Sequence, residues 1–325
     1  MEFVRLGTTG LQVSRICMGT MQFGWSIDES DSLKVLNAAF EAGINIFDTA
    51  DVYSNWVPGN PGGVAETILG KWMKNYHIPR DRVVIATKVR GKMGEGANDQ
   101  GLGRVHIFQA VEASLARLKT DFIDLYQAHS PDENTPIEET IQAFDDLVRD
   151  GKVRFVGASN YNASQLIEAL LKSDENKKVR FETLQPKYNL LQREEFEAEL
   201  KQVCLKMGLA VLPYSPLRGG FLTGKYRVGK PLPKSTRAES GARYLTDPNI
   251  TVLDKLDEMS KSHNSTVAQI ALAWLLADPV VASPIIGATS VVQLNENLGC
   301  LAVHLTTQEI NILNDLTNWK TVNAM

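Results

Sequence analysis

The amino-acid sequence predicts a (β/α)8 barrel, also called a TIM barrel, that spans residues 1–325 as a single domain. Short apolar segments of strand length alternate with segments of helical periodicity along most of the chain. The links between them are short, which favours parallel strands connected by helices. The apolar segments number eight, and a closed parallel barrel is built from that number of strands.

The predicted elements begin with a β-hairpin that turns at Thr8–Gly10. Gly43, Gly151 and Gly208 each closely follow a helical segment and supply its stop signal. The segment TTQEINILNDLTN predicts a further helix outside the barrel. The predicted strands are RICMGT, NIFDT, VVIATK, FIDLYQ, VRFVGAS, TLQPKY, LAVLPYS and ASPIIGA. The predicted helices between them are SLKVLNAAFEAG, AETILGKWMKN, IFQAVEASLARL, IEETIQAFDDLVRDG, ASQLIEALLKS and EEFEAELKQVCLKMG.

An open, doubly wound sheet is the main alternative, and the glycine motifs disfavour it. The nearest match to a dinucleotide fingerprint starts at Gly101, but it has His106 in place of the third glycine and follows a loop. The sequence contains no GxxxxGK[ST] phosphate loop. The barrel is therefore the preferred prediction.

Three long segments follow strands and are expected on the carboxyl-terminal face of the barrel. They are SNWVPGNPGG after Tyr53, GKMGEGANDQGLG after Lys88, and RGGFLTGKYRVGKPLPKSTRAESGARYLTD after the seventh strand. Active sites of TIM barrels form on this face. Long ordered segments of this kind are typical of lids and binding loops, and flexible connectors are the alternative.

The composition excludes several classes of protein. A net charge of −4 and a pI near 5.8 argue against a nucleic-acid partner. Three cysteines without CxxC spacing indicate a reducing compartment, and the start of the chain has no signal peptide, so we expect a cytoplasmic protein. The longest apolar run, VAQIALAWLLA, is too short to cross a membrane. The oligomeric state stays open, because no interface stripe stands out.

Four polar residues at the ends of three apolar runs predict a proton-transfer centre. Asp48, Lys88 and His129 each have an ordinary structural explanation alone, as a cap, a snorkelling cation and a core or rim residue. Together, Lys88 would lower the pKa of Tyr53, Asp48 would hold Lys88, and His129 would bind a substrate oxygen. Tyr53 would then be a general acid toward a carbonyl. No HxH, HExxH or carboxylate cluster suggests a metal.

A carbonyl that is protonated at oxygen also needs a hydride at carbon, which a nicotinamide cofactor supplies. Ser159, Asn160 and Gln185 could hydrogen-bond a carboxamide, and Tyr214 could stack on the ring. The segment PIIGATSVVQLNENLG would begin a helix whose amino terminus could bind a phosphate. Its plain structural alternative is a helix start with Thr289 or Ser290 as N-cap.

The sequence resembles the aldo-keto reductase superfamily over essentially its whole length. The motifs that carry the resemblance are GTMQFG, GINIFDTADVY, ATKV, DLYQAHSPD, VRFVGASNY, QPKYNLL, LPYSPLRGGFLTGKY and PIIGATSVVQLNEN. They look closest to a bacterial branch near the β subunits of voltage-gated potassium channels. The resemblance implies a barrel that binds NADP(H) across its carboxyl-terminal face, with Tyr53 as proton donor, Asp48 and Lys88 tuning it, and His129 orienting the substrate.

The resemblance also implies the remaining site residues. Met21, which stands where related proteins often have an aromatic residue, would contact substrate. Trp56, in the long segment after Tyr53, would reach the mouth of the pocket and contact substrate, and its alternative is an exposed loop tryptophan. The stretch GATSVV lacks the charge that many members use for the 2′-phosphate, so Arg237 and Lys225 would supply it, and NAD(H) stays an alternative cofactor. The implied cofactor contacts are Gly19, Thr20, Ser159, Asn160, Gln185, Tyr214, Ser215, Leu217, Gly219, Lys225, Arg237, Gly287, Thr289, Gln293, Glu296 and Asn297.

The leading hypothesis is an NADP(H)-dependent reductase of aldehydes and ketones. The second is a redox-sensing regulatory subunit that binds the cofactor and a partner protein. The third is an aldolase in which Lys88 forms a Schiff base. The sequence leaves the substrate open among sugar aldehydes, pyridoxal, methylglyoxal and small aromatic aldehydes.

Overall fold

A two-stranded antiparallel hairpin precedes the main sheet in the computed structural model, which describes residues 1–322. Its strands are β1 (Phe3–Arg5) and β2 (Gln12–Ser14), as the sequence predicts. In the connecting turn, the backbone N–H and hydroxyl of Thr8 both donate to Oε2 of Glu182, at 2.9 and 2.8 Å. Leu6 and Val13 are fully buried. The hairpin therefore packs on the barrel beside the first half of the strand that carries Glu182.

Eight parallel strands form the main sheet, which confirms the barrel prediction. Their order in space is β10-β3-β4-β5-β6-β7-β8-β9. The seam closes because the N–H groups of Ala282 and Ile285 donate to Val211 and Pro213, both at 2.9 Å. The strands are β3 (Cys17–Gly19), β4 (Ile46–Asp48), β5 (Val84–Val89), β6 (Ile123–Ala128), β7 (Val153–Ser159), β8 (Phe181–Gln185), β9 (Ala210–Val211) and β10 (Ile285–Ile286).

The helices surround the sheet and bury their apolar faces on it. In α4, for example, Ile141, Phe144 and Leu147 are buried at helical spacing. None of the described helices combines the length and apolar content needed to cross a membrane. The helices are α1 (Glu29–Glu41), α2 (Val64–Asn75), α3 (Arg104–Leu118), α4 (Ile137–Arg149), α5 (Ala163–Glu175), α6 (Glu194–Glu197), α7 (Leu200–Met207), α8 (Ala238–Ala242), α9 (Asp247–Ser262), α10 (Val267–Leu276), α11 (Val291–Leu298), α12 (Thr307–Leu316) and α13 (Trp319–Val322).

Several elements differ from the sequence prediction. The predicted helix EEFEAELKQVCLKMG is interrupted at Glu199, whose φ of −141° is not helical; Phe196, Leu200 and Cys204 keep four-residue spacing across the break, so the sequence shows no sign of it. The strand predicted as TLQPKY ends at Gln185, because Pro186 has no N–H to donate. Helices α9 and α10 follow the third long segment and were not predicted; α10 is buried around most of its circumference and has no polar face.

The barrel interior is apolar at its base and polar above. Side chains alternate across a strand, so Val84, Ala86 and Lys88 of β5 point inward while Ile85 and Val89 pack against helices. The base contains Leu6, Val13, Ile46 and Leu125 with Val84 and Ala86. The same alternation that fills this base places Lys88 in the interior, toward the carboxyl-terminal face.

We expect Arg15 to be a major stabilising residue, because it ties the seam of the barrel. Its guanidinium donates to the carbonyls of Leu276 and Val281 at 2.6 Å and of Ala282 at 3.1 Å. Arg15→Ala leaves these partly buried acceptors without their donor. Urea denaturation should show a free energy of unfolding lower by about 2–4 kcal/mol.

The matched control is Arg5→Ala, which removes an exposed arginine from the hairpin. It should change the free energy of unfolding by less than about 0.5 kcal/mol. Equal effects of the two substitutions would contradict a seam-tying role for Arg15.

Candidate active site

Two strands and one turn bring Asp48, Lys88 and Tyr53 together. Asp48 ends β4, Lys88 lies near the end of β5, and Tyr53 follows in the turn after β4. Lys88 Nζ donates to Asp48 Oδ1 at 2.7 Å, to Tyr53 Oη at 2.9 Å and to the carbonyl of Thr49 at 2.7 Å. Lys88 is fully buried, so all three of its ammonium hydrogens are used within the protein.

Burial and charge act in opposite directions on this group. Burial would lower the pKa of Lys88, but the charges of Asp48 and Tyr53 outweigh it and hold that pKa above its ordinary value. Lys88 is therefore a cation at neutral pH. A cationic amine with three occupied donors is not a nucleophile, and this argues against the Schiff-base hypothesis.

The pKa of Tyr53 differs from the sequence expectation of a lowered value. Burial raises the pKa of Tyr53 to about 12. Lys88 lowers it toward the ordinary value, and Asp48 raises it. The net effect is that Tyr53 keeps its proton at neutral pH and presents a phenol whose oxygen is bound to a cation.

His129 follows β6 and lies across from Tyr53, with ring centroids 6.0 Å apart. Burial, together with the charges of Lys88 and Arg90, lowers the pKa of His129 to about 3. The imidazole is therefore neutral at physiological pH. A neutral ring offers one N–H donor without adding a further positive charge to the site.

The second oxygen of Asp48 is held by amides, one of which the sequence did not single out. Gln185 Nε2 donates to Asp48 Oδ2 at 2.8 Å. Gln127, fully buried on β6, lies 3.5 Å from the same oxygen and accepts from Gln185 at 3.3 Å. Lys88 and Gln127 are register partners. Alternation along VVIATK and FIDLYQ could have identified Gln127, because it falls on the interior face like Leu125.

Polar groups at the ends of β7 and β8 form a second, connected set. Ser159 Oγ donates to the Gln185 carbonyl at 2.9 Å. Asn160 Nδ2 donates to the His129 carbonyl at 2.9 Å, and Tyr214 Oη donates to Asn160 Oδ1 at 2.8 Å. Asn160 has a left-handed φ of 59°, which asparagine tolerates better than most residues. The Asn160 amide is thus held from two sides at the edge of the barrel.

A cavity of about 490 Å³ opens above these residues, a size typical of small-molecule sites. Asp48, Tyr53, His129 and Met21 line it. Gln22, Ser26 and Thr236 also line it and were not predicted. The predicted cofactor residues in its wall are Gly19, Ser159, Asn160, Gln185, Tyr214, Ser215, Leu217, Gly219, Lys225, Arg237, Gly287, Thr289, Gln293, Glu296 and Asn297.

Two predicted residues lie elsewhere. Thr20 is fully buried, and its hydroxyl donates to the Asp48 carbonyl at 3.0 Å, so its side chain supports β4 and does not reach the cavity wall. Trp56 is 46% exposed and outside the cavity lining. Its ring lies 6.5 Å from Tyr53 and 5.6 Å from Trp25, centroid to centroid.

The far end of the cavity is positively charged. Lys225 and Arg237 come from the long segment after β9, and burial lowers the pKa of each. The charge of Arg237 further lowers the pKa of Lys225. Among the described residues, no carboxylate forms an ion pair with either cation. Two cations without an ion-pair partner are suited to binding an anionic ligand.

The amino end of α11 contributes to the same region. Ser290 is its N-cap and accepts from the Gln293 N–H at 3.2 Å. Thr289 donates from its N–H and its hydroxyl to Gln293 Oε1, at 3.0 and 2.9 Å. Among the described residues, no group of three or more His, Cys, Asp or Glu side chains could hold a metal ion.

The long segment is tied to the loop after β3 by two contacts across the cavity. Ser26 and Thr236 share a hydrogen bond of 3.0 Å. The guanidinium carbon of Arg237 lies 5.2 Å from the centre of the Trp25 ring. The charged end of the cavity is therefore bridged by protein on its outer side.

Comparison with known proteins assigns the family. Residues 15–318 match the model of the aldo/keto reductase family. An uncharacterized oxidoreductase, YrpG, of Bacillus subtilis is 37% identical over 97% of this chain and 96% of its own. A versiconal hemiacetal acetate reductase of Aspergillus parasiticus is 34% identical over 97% and 96%. A probable voltage-gated potassium channel subunit beta of Oryza sativa subsp. japonica is 35% identical over 95% and 94%. This chain belongs to the aldo/keto reductase family and is an oxidoreductase by that relationship.

Proposed function

We propose that the protein is an NADP(H)-dependent reductase that converts aldehydes or ketones to alcohols, with Tyr53 as general acid. The observation that carries the proposal is the buried Lys88 ammonium, 2.7 Å from Asp48 and 2.9 Å from Tyr53, at the base of a cavity. A cation fixed at the phenol oxygen stabilises the tyrosinate that forms as the proton leaves. We further propose a cytoplasmic location, which three free, buried cysteines support.

The proton moves from Tyr53 Oη to the carbonyl oxygen of the substrate. In the resting site, burial keeps the pKa of Tyr53 at about 12, so the donor is fully protonated at neutral pH. The neutral His129 ring orients the same carbonyl oxygen through an N–H donor. Asp48 holds Lys88 in place, and Gln185 and Gln127 hold the second oxygen of Asp48.

The residues that would hold a nicotinamide cofactor fit it in chemical type. Ser159, Asn160 and Gln185 provide the donors and acceptors that a carboxamide needs, and Tyr214 offers an aromatic face. Lys225, Arg237 and the amino end of α11 suit phosphate groups. When bound, the cofactor supplies the hydride for the carbonyl carbon. The preference for NADP(H) over NAD(H) rests on Lys225 and Arg237, neither of which forms an ion pair with any described residue.

The regulatory-subunit hypothesis has one observation in its favour, the similarity to a probable channel β subunit. Its partner would be a protein, whereas the reductase needs only a small carbonyl substrate. A panel of sugar, aliphatic and aromatic aldehydes with NADPH and with NADH distinguishes the two. Multiple turnovers with at least one carbonyl support the reductase. A single slow oxidation of bound cofactor across the whole panel would favour the regulatory subunit.

Tyr53→Phe should lower kcat for carbonyl reduction by about 10²–10⁴-fold, because the phenyl ring has no proton to give. Cofactor affinity, measured by quenching of intrinsic fluorescence on NADPH titration, should stay within about threefold of the wild-type value. Tyr188→Phe is the control, since that hydroxyl binds Glu197 away from the cavity. Wild-type turnover by Tyr53→Phe would refute the assigned role.

Arg237→Ala should raise the KM for NADPH by about 10–100-fold, because it removes a charge-assisted contact to the 2′-phosphate. The KM for NADH should change by less than about threefold. Arg243→Ala, an exposed arginine of the same segment, is the control. If the two cofactors weaken equally, Arg237 serves a part of the cofactor that they share, and the proposed NADP(H) selectivity needs another source.

A further inference from the structure

A second carboxylate, Asp51, lies in the turn between Asp48 and Tyr53 and is fully buried. Its Oδ1 accepts the backbone N–H of Val52 at 2.7 Å. Its Oδ2 has no hydrogen-bond partner among the described residues. A buried, ionised carboxylate oxygen without a donor is costly. The site described above makes no use of this group.

The charged neighbours of Asp51 cannot neutralise it. On α2, the fully buried Glu66 accepts from Arg117 Nε at 2.7 Å and from Thr87 Oγ1 at 2.6 Å. Both Glu66 oxygens thus face donors, and Glu66 is the ion-pair partner of Arg117 on α3. Lys88 on β5 is already paired with Asp48. Tyr126 on β6 adds only a neutral hydroxyl.

Arg117 is therefore one cation facing two carboxylates, those of Glu66 and Asp51. The hydrogen bonds of the two carboxylates decide which of them takes a proton. Glu66 only accepts, whereas Oδ2 of Asp51 has an open position. The same balance appears in the pKa of Asp51, which burial and the charge of Glu66 raise to about 8, while Val52, Arg117 and Lys88 act in the lowering direction.

The backbone of Asp51 joins the parts that place the proton donor. Its N–H lies 3.4 Å from the Lys88 carbonyl, and its carbonyl accepts from the Gly63 N–H at 2.6 Å. Gly63 ends the segment that starts after Tyr53, and the Arg117 side chain packs so closely on it that a Cβ there would lie 2.4 Å from Arg117 Cδ. The Arg117 side chain and the end of this segment are therefore in close contact.

We propose that Asp51 is a positioning residue that works as a neutral carboxylic acid, holding the turn that places Tyr53 on Lys88. This inference rests on the proposed function of Tyr53. Ionised Asp51 would compete with Glu66 for Arg117 and shift Gly63 together with the turn. The proton donor would then lose its alignment with Lys88 above the pKa of Asp51.

The kinetic test is the pH dependence of kcat at saturating NADPH and carbonyl. If only the neutral form is active, wild-type kcat should fall about tenfold from pH 7 to pH 9. The proton of Tyr53 itself is lost only near pH 12. Asp51→Asn should keep kcat within about twofold of wild type at pH 7 and stay flat to pH 9. An unchanged alkaline fall in Asp51→Asn would overturn the proposal.

A melting experiment tests the same proton without turnover. The unfolded Asp51 ionises near its ordinary pKa of 3.8 and the folded one near 8, so wild-type stability should fall as pH rises through that window. Asp51→Asn should match the wild-type Tm at pH 4.5 and exceed it at pH 8. Asp121→Asn, an exposed aspartate, should show no such change. Equal Tm differences at both pH values would contradict a neutral Asp51.

Two spectroscopic measurements keep the proposal testable if the variant folds poorly or no carbonyl is turned over. Infrared spectra of wild type with ¹³C-labelled aspartate should contain a protonated-acid carbonyl band at pH 7 that is lost with a midpoint near pH 8. Trp56 fluorescence, taken as the difference from Trp56→Phe, should change across the same window because Trp56 lies beside Tyr53. Absence of the acid band would overturn the proposal; failure of turnover alone would overturn only the proposed function.

Discussion

The buried ion pair between Lys88 and Asp48 is the interaction on which the site depends. It places two charges inside a barrel whose base is apolar, a position that is costly unless every donor and acceptor is used. Lys88 uses its three hydrogens on Asp48, Thr49 and Tyr53. Asp48 divides its oxygens between this cation and the amides of Gln185 and Gln127. Removal of either charge would leave the other uncompensated, at a cost of about 3–5 kcal/mol.

The pair also determines the electrostatics around it. Lys88 is the cation that holds the Tyr53 oxygen, and its charge is one reason that the pKa of His129 falls to about 3. Burial, together with this fixed positive charge, keeps the neighbouring imidazole neutral, so the site carries one cation at Lys88 and none at His129. Burial raises the pKa of Tyr53 and the charge of Lys88 lowers it, and the effect of burial is the larger. The result is a protonated phenol beside a cation, which stabilises negative charge only as it develops.

Much of the fold and of the site follows from the sequence because both depend on alternation. Residues of segments such as VVIATK point alternately into the barrel and toward the helices. An interior Lys88 is therefore predictable from Val84 and Ala86, which precede it on the inward face of the same strand. The unpartnered oxygen of Asp51 cannot be predicted in this way, since its neighbours Glu66 and Arg117 come from two helices later in the chain. Helix α10 was missed because periodicity vanishes when most faces are buried. The sequence predicts a lowered pKa for Tyr53 because it shows the nearby cation but not the depth of burial, which raises that pKa.

The two halves of the cavity differ in their electrostatics, as the proposed combination of a proton donor and a bound polyanion requires. Near Tyr53 each buried charge has a partner, and a net neutral centre results. Around Lys225 and Arg237 positive charge is left unpaired among the described residues, and the bridge from Trp25 and Ser26 holds it over the cavity. A ligand with phosphates at one end and a neutral ring at the other would complete the second region without disturbing the first. In the proposed reductase, binding energy at the phosphates would position the chemistry at the carbonyl.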